Sequence, residues 1–269
     1  MERTLGLIAG AGVLPGRAAA EAARQGWRVV AFAFQDAPGL EAHCESVIPS
    51  RVEDIQAMLF ELATRQVSAA LFVGKFRKQE FFARRDQEVD DAARSLARGG
   101  LSDGALAETA VAALGALGIE VLDQRPFLSR WIAPAGVLTS RAPTPEEAAE
   151  IREGFALARR LASFGIGQTI VRSLGVTVAV EAAEGTDETI RRGARLAGRG
   201  AVVVKAVGAR PDYRFDIPTV GPATLEAMAE GGAAALGIEG GRMLLVDRER
   251  FVQIADDAGI AVLSIDEPD

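Results

Sequence analysis

Two sets of residues in this 269-residue chain have the types and spacing to act on a phosphate. The first begins with the run Leu5-Gly-Leu-Ile-Ala-Gly-Ala-Gly-Val-Leu-Pro15, an apolar stretch ending in Gly10, Ala11 and Gly12. Backbone amides at a glycine turn between strand and helix can hold a phosphate, and the helix dipole adds favourable charge. Leu14-Pro15 stands near the place of the third glycine of the dinucleotide fingerprint, so that match is incomplete. Asp36 follows the next apolar run, where a ribose-binding acid could sit. Lys75, in Val73-Gly-Lys-Phe-Arg77, follows a third apolar run at the strand end that faces the ligand crevice in a parallel sheet, and could pair with a phosphate. The plainer readings are a glycine turn that only joins strand to helix, and a solvated lysine. In Leu101-Ser-Asp-Gly104, Ser102 or Asp103 reads first as a helix cap, with Asp103 and Gly104 able to line a crevice.

The second set is richer in charge. Glu181, Glu184 and Asp187 fall within seven positions at a strand-to-helix junction that also holds Gly185 and Thr186. Such a cluster repels itself unless a cation or base neutralises it. Arg191 and Arg192 could do this structurally, and Thr186-Asp187 could cap the helix; a divalent cation on oxygen ligands is the functional reading. Lys205 ends the apolar run Val202–Val204, and Asp212, Arg214 and Asp216 follow in Pro211-Asp-Tyr-Arg-Phe-Asp-Ile-Pro218. Period two in an extended segment would place those three on one face, as a surface ion-pair ladder or as part of a phosphate-and-metal site. Mixed charges with a divalent cation match phosphoryl transfer, where positioning and charge stabilisation carry the catalysis.

The elements that must hold these groups alternate. Strand-like runs at Leu5–Ala9, Arg28–Phe34, Ala69–Val73 and Ile119–Leu122 are separated by helical patterns at Ala18–Arg24, Val52–Gln66, Gln79–Arg98 and Asp103–Leu117. This predicts an α/β protein whose N-terminal domain, residues 1–132, is a Rossmann-like parallel sheet with helices on both faces. The segment Trp131–Pro145 carries four of its residues as proline or glycine and marks the junction; Thr144-Pro-Glu-Glu147 reads as a helix start. Residues 133–269 then form a C-terminal mixed α/β domain. It has helices at Pro145–Ser163, Asp187–Ala197, Thr224–Glu230 and Arg248–Ala258. Its strands fall at Thr169–Val171, Val176–Glu181, Ala201–Lys205, Met243–Val246 and Ile260–Ile265.

Composition removes several classes. The formal charge of −7 argues against broad binding to nucleic acid. A single cysteine, Cys44, and a single histidine, His43, exclude a disulfide framework, a cysteine-rich zinc site and a His-rich metal site. No run approaches the ~20 apolar residues of a membrane span. Glycine and proline interrupt the N-terminal apolar stretch too often for a signal peptide, so a cytoplasmic protein is expected.

These segments resemble the LpxI family of UDP-2,3-diacylglucosamine pyrophosphatases. The Gly6–Pro15 start, Gly74-Lys-Phe-Arg77 and Gly165-Ile-Gly-Gln-Thr169 carry the likeness. Ala179-Val-Glu-Ala-Ala-Glu-Gly-Thr-Asp187 and Asp212-Tyr-Arg-Phe-Asp-Ile-Pro-Thr-Val-Gly-Pro222 carry it most specifically. The resemblance implies a cytoplasmic, dimeric enzyme of lipid A synthesis, peripheral at most to the membrane. It implies hydrolysis of UDP-2,3-diacylglucosamine to UMP and 2,3-diacylglucosamine 1-phosphate (lipid X). It also implies dependence on Mg²⁺ or Mn²⁺, water attack on the phosphorus next to the sugar, and substrate held between two domains. Carried onto this chain, Gly10, Ala11 and Gly12 offer backbone amides, and Lys75 pairs with a phosphate. Gln168, Thr169, Gly185 and Thr186 bind the ligand, Glu184, Asp187 and Asp216 handle the cation, and Lys205 and Arg214 stabilise developing charge. Ala223 stands where the family has an acid before Thr224, which fits an inactivated, substrate-trapping variant better than a natural member that uses a neighbour. Phe81, Phe82, Phe155, Leu157 and Leu161 could line an acyl groove or simply fill a core or dimer contact. The rivals are a nicotinamide-dependent oxidoreductase, from the glycine turn and Asp36, and a non-catalytic nucleotide-binding protein.

Overall fold

The computed structural model describes residues 3–76 and 103–266, with the side chains of 103–106 left out. The helix expected at Gln79–Arg98, together with Phe81 and Phe82, lies outside the described residues, as do Arg77 and Ser102. The chain forms two units, Met1–Ser129 with Asp212–Asp216, and Arg130–Pro211 with Ile217–Asp269. Asp212–Asp216, which the sequence pattern places in the C-terminal half, thus clusters with the first unit.

The first unit runs β1 (Thr4–Ala9), α1 (Leu14–Arg24), β2 (Arg28–Ala33), β3 (Ser46–Pro49), α2 (Ile55–Thr64), β4 (Ala69–Val73), α3 (Asp103–Ala116), β5 (Glu120–Val121) and α4 (Arg125–Leu128). Its five strands are all parallel and stand in the order β3-β2-β1-β4-β5. Every residue of β1 is buried, as expected of a central strand covered on both faces. Ile8, Val30 and Phe32 meet Ile55, Met58 and Leu62 from α2 in one core cluster. The chain reverses direction between β1 and β4, and in such sheets this switch point opens a crevice at the carboxyl ends. Gly10 and Gly74 stand there. A Cβ on Gly10 would come 2.9 Å from the Lys75 carbonyl oxygen, and one on Gly74 would come 2.8 Å from the Gly10 carbonyl carbon. Gly74 also has φ +104°.

The second unit runs β6 (Gly136–Val137), α5 (Pro145–Ser163), β7 (Thr169–Ser173), β8 (Val176–Val180), α6 (Thr186–Ala197), β9 (Val202–Lys205), β10 (Thr219–Val220), α7 (Pro222–Gly231), β11 (Ala235–Glu239), β12 (Leu244–Leu245), α8 (Arg248–Asp257) and β13 (Ala261–Ile265). Six strands form a mixed sheet, β6-β13-β11-β9-β7-β8, and β10 pairs with β12 separately. β9, β11 and β13 are parallel, while β7 runs against both β9 and β8. The helix start at Thr144 is a full capping box, with Thr144 and Glu147 each bonding the other's backbone. Phe155 is buried in the core between α5 and the sheet, with Leu157 and Leu161 packed against it. These three are therefore occupied as core, not as an open acyl groove.

Two differences from the sequence pattern matter. β11, missed by it, is a central strand; Ala-Leu-Gly-Ile-Glu has no alternation to read because both faces are buried. The strand expected at Met243–Val246 shrinks to the two residues of β12. Among the described residues no helix is long and apolar enough to cross a membrane. Burial, then Glu41, pushes the Cys44 thiol up to about 12.

The crowding at the switch point sets a stability test. Gly26 also has positive φ but open space around its missing Cβ. Gly26→Ala should cost about 1–2 kcal/mol from backbone strain alone. Gly74→Ala should cost more, because a collision is added to the same strain; urea unfolding of the two variants measures the difference.

Candidate functional site

The glycine turn of the first unit is committed to the fold. Gly10 N–H donates to Val73 O (2.9 Å), Ala11 N–H to Lys75 O (3.0 Å) and Gly12 N–H to Asp36 O (3.0 Å). Lys75 N–H returns a bond to Ala11 O, closing a small antiparallel bridge. The three amides that the sequence offers to a phosphate, those of Gly10, Ala11 and Gly12, thus each bond a carbonyl of their own unit. The helix that follows has Val13 at its N-cap with no side-chain cap, so the open donors of this region belong to its first turn. The Lys75 side chain is exposed at the end of β4. Asp103 opens α3, with Gly104 next.

The segment bearing Arg214 and Asp216 packs with this same unit. Gln124 N–H donates to Tyr213 O (3.0 Å), the Arg125 guanidinium lies 4.3 Å from the Tyr213 ring centroid, and Phe215 stacks on Phe72 of β4 at 4.9 Å. It is a turn, not the extended ladder that period two suggested. The Phe215 and Asp216 amides both donate to Asp212 O, and the Asp212 carboxylate accepts from the Arg214 amide. Arg214 then closes a two-pronged pair on Asp212, at 2.9 and 2.7 Å. Asp216 is exposed. Arg214's hydrogen bond, followed by opposing burial, leaves the Asp212 carboxyl below the usual aspartate range. At Asp123, burial pushes upward but the hydrogen bonds and charge of Arg125 override it, so this carboxyl is also held low.

The second unit collects the other candidates on one edge of its sheet. Strand direction places the ends of β8, β9 and β11 there with the start of β7, and Thr169 pairs directly with Lys205 across the β7–β9 ladder. Lys205 is 7% exposed. Its ammonium donates to Thr186 Oγ1 (3.1 Å) and Thr219 O (3.0 Å), both neutral acceptors. No carboxylate forms an ion pair with it among the described residues. Thr186 passes its own hydroxyl proton to Glu181 Oε1 (2.9 Å), so the nearest acid in the chain of bonds is one hydroxyl away. Glu181 also accepts from the Gln168 amide (3.2 Å). The Thr169 hydroxyl is buried with no hydrogen-bond partner.

Two helices begin at this edge without a side-chain cap. α6 starts after Gly185 and α7 after Gly221, and α7 has no acid in its first turn, where Ala223 is exposed. Glu184 is engaged structurally: it pairs with Arg192 (2.6 Å) and accepts from Thr189 (3.2 Å) and from the Ala182 amide (3.2 Å). A backbone hydrogen bond at Glu184 and then Arg192 hold its carboxyl below the ordinary range. Asp187 takes no side-chain partner among the described residues. Among those residues, no three carboxylate, imidazole or thiol groups gather closely enough to form a metal centre by themselves.

Residues 4–131 match the family described as LpxI N-terminal domain, and residues 134–263 match LpxI C-terminal domain. The UDP-2,3-diacylglucosamine pyrophosphatase LpxI of Caulobacter vibrioides is 32% identical over 278 aligned residues, 98% of this chain and 98% of its own. Among solved structures, a UDP-glucose 4-epimerase from Stenotrophomonas maltophila is 13% identical over 99% of this chain and 78% of the epimerase, with TM-score 0.36. A glycinamide-RNase-transformylase T from Mycobacterium tuberculosis is 15% identical over 66% of this chain and 44% of its own, with TM-score 0.26. Likeness at that level fixes neither fold nor chemistry.

The Asp212 pair makes a pH prediction. Its folded pKa is depressed, so the pair contributes stability above the unfolded value of ~3.9 and loses it as pH falls through the folded value. NMR titration should place the Asp212 midpoint below ~3.9, and Arg214→Ala should return it toward that value.

Proposed function

The chain belongs to the LpxI family, and from that premise we propose that it hydrolyses the diphosphate of UDP-2,3-diacylglucosamine to UMP and 2,3-diacylglucosamine 1-phosphate. The observation that carries this reading is the Lys205 ammonium, buried at a strand edge with only neutral oxygens bonded to it. A buried cation without a counter-charge is costly, and a diphosphate supplies the missing anion.

In this reading water attacks the phosphorus next to the sugar, the bond from that phosphorus to the bridging oxygen breaks, and UMP leaves with the bridging oxygen. Lys205 and Arg214 stabilise charge on the phosphoryl oxygens. The open Thr169 hydroxyl, with Gln168, Gly185 and Thr186, orients the ligand, and Lys75 pairs with a phosphate. Asp103 and Gly104, at the start of α3, belong to the same assigned ligand-binding set. The Arg214–Asp212 pair must loosen or share its guanidinium when substrate arrives.

Mg²⁺ or Mn²⁺ belongs to the proposal as a cation held largely by the substrate. Such ions keep several waters and commonly use one or two carboxylates plus phosphate oxygens, so they do not need three acids gathered in one place. Asp187, the uncommitted acid, is the first ligand we assign, with Asp216 as a second; Glu184 would serve only by releasing Arg192. When bound, the ion would neutralise charge on the diphosphate oxygens. We place the enzyme in the cytoplasm as a homodimer, touching the membrane peripherally to meet its lipid substrate.

Position 223 separates binding from turnover. An acid in the first turn of α7 would be favoured by the helix dipole and could take a proton from the attacking water. The chain as it stands should bind the UDP-lipid and turn it over slowly. Ala223→Asp should raise kcat by on the order of 10²–10⁴ with little change in KM, measured with Mg²⁺ present. In labelled water, the label should appear in the sugar phosphate. An unchanged rate would remove the assigned role of an acid at this position.

A further inference from the structure

Glu181, the first residue beyond β8, takes no part in the chemistry above, yet it ties together three segments of the second unit. Its amide donates to Thr169 O (2.8 Å). One carboxylate oxygen, Oε2, accepts from the Gln168 amide (3.2 Å), and the other, Oε1, from the Thr186 hydroxyl (2.9 Å). Thr186 in turn accepts from the Lys205 ammonium (3.1 Å). The start of β7, the start of α6 and the end of β9 are thus joined through one side chain. Gly167 makes room for this: a Cβ there would collide with the Glu181 carbonyl oxygen, so the approach to β7 lies this close only with glycine at that place.

The bonds also fix a direction. A hydroxyl has one proton to give and lone pairs to receive with. At Thr186 the ammonium of Lys205 takes a lone pair, so the hydroxyl proton has to point elsewhere, and Glu181 Oε1 receives it. A carboxylate is the group these neighbours require, because Gln168 and Thr186 each aim a hydrogen at a different oxygen and a carboxylate accepts at both. Glutamine has only one oxygen. Its NH₂ turned toward Gln168 would set two donors face to face; turned toward Thr186 it would push the hydroxyl proton toward Lys205. Lys205 would then keep one firm partner, the Thr219 carbonyl.

We propose that Glu181 is a positioning residue that sets the direction of the Thr186 hydroxyl and thereby aims the Lys205 ammonium at the diphosphate. This rests on the reading that Lys205 serves diphosphate hydrolysis. Charge alone gives the opposite expectation, since removing an anion near Lys205 favours a bound anion. Displacement of about 1 Å at a reacting group can cost on the order of 10²-fold in rate.

The test has two arms, both on the full chain. In the first, the chain as it stands carries isotope-labelled lysine, and ammonium signals are followed by proton–nitrogen NMR. The lysines are Lys75, Lys78 and Lys205, and the signal missing from Lys205→Met identifies Lys205. That signal should be protected from exchange with water in the parent, lost to exchange in Glu181→Gln and Thr186→Val, and partly recovered in Thr186→Ser. In the second arm, hydrolysis of UDP-2,3-diacylglucosamine is measured with Ala223→Asp as parent. Glu181→Gln should lower kcat by about 10- to 100-fold without raising KM. Added to Thr186→Val it should cost little more, because both changes cut one link. A parent without a protected signal, a signal unchanged in Glu181→Gln, an unchanged kcat, or a loss confined to KM would overturn the positioning role. If Glu181→Gln fails to fold, Thr186→Val against Thr186→Ser tests the same link from its other end, and equal signals in the two would overturn it. An inactive Ala223→Asp parent would instead sink the functional reading, while the first arm still decides whether Glu181 holds the ammonium.

Discussion

A positive charge sealed into the end of a sheet is the constraint around which the second unit is arranged. Lys205 ends a strand whose other residues are all buried and apolar, so its ammonium cannot reach bulk water without leaving the strand. It lies beside the first residue of α6, where the helix dipole is also positive. Coulomb's law makes both facts unfavourable, more so where water is excluded. The protein offsets part of this through Thr186, which takes a bond from Lys205 and hands one to Glu181. A hydroxyl relay of that kind weakens the effective counter-charge compared with a direct pair.

The first unit uses its carboxyl-end edge differently. A glycine turn at a strand-to-helix junction suggests a phosphate cradle because its amides usually point outward. Here they point at neighbouring carbonyls, and the glycines serve to let two backbones approach to within contact. The close approach is what brings Lys75 alongside Ala11, so the turn acts by placing a lysine backbone. The side chain of that lysine remains exposed beyond it.

Legibility in the sequence followed the apolar blocks that turn residues bound. The alternating β and α runs of the first half are visible because each strand is a short apolar block bounded by turn residues, and the parallel sheet follows from them. β11 is harder to read because Ala, Leu, Gly, Ile and Glu make a weak apolar block, with a glycine at its centre and a carboxylate at its end. Glu239 went unread with it, since nothing local marks a carboxylate whose partners, Arg159 and Val207, lie 80 and 32 residues away. The Asp212–Asp216 reading failed in its geometry for a local cause. Asp212 captures the amide and guanidinium two residues on, which bends the chain into a turn before any period can be expressed. The residue types at Lys205, Thr169 and Thr186 were readable as polar groups at strand and helix ends; that the first two are buried was not.

The acids of the chain divide by what neutralises them, and this narrows the chemistry. Asp123, Asp212 and Glu184 are each held by an arginine close in sequence, a pairing that screens cheaply at the surface. Glu239 is neutralised deep inside by two guanidiniums and is thereby removed from solvent and ligand alike. Asp187 is left half-buried at an uncapped helix start with its charge uncompensated by any side chain among the described residues. The first turn of α7, where Ala223 is exposed, holds no acid at all, so that uncapped helix start carries none of the negative charge that the start of α6 has in Asp187.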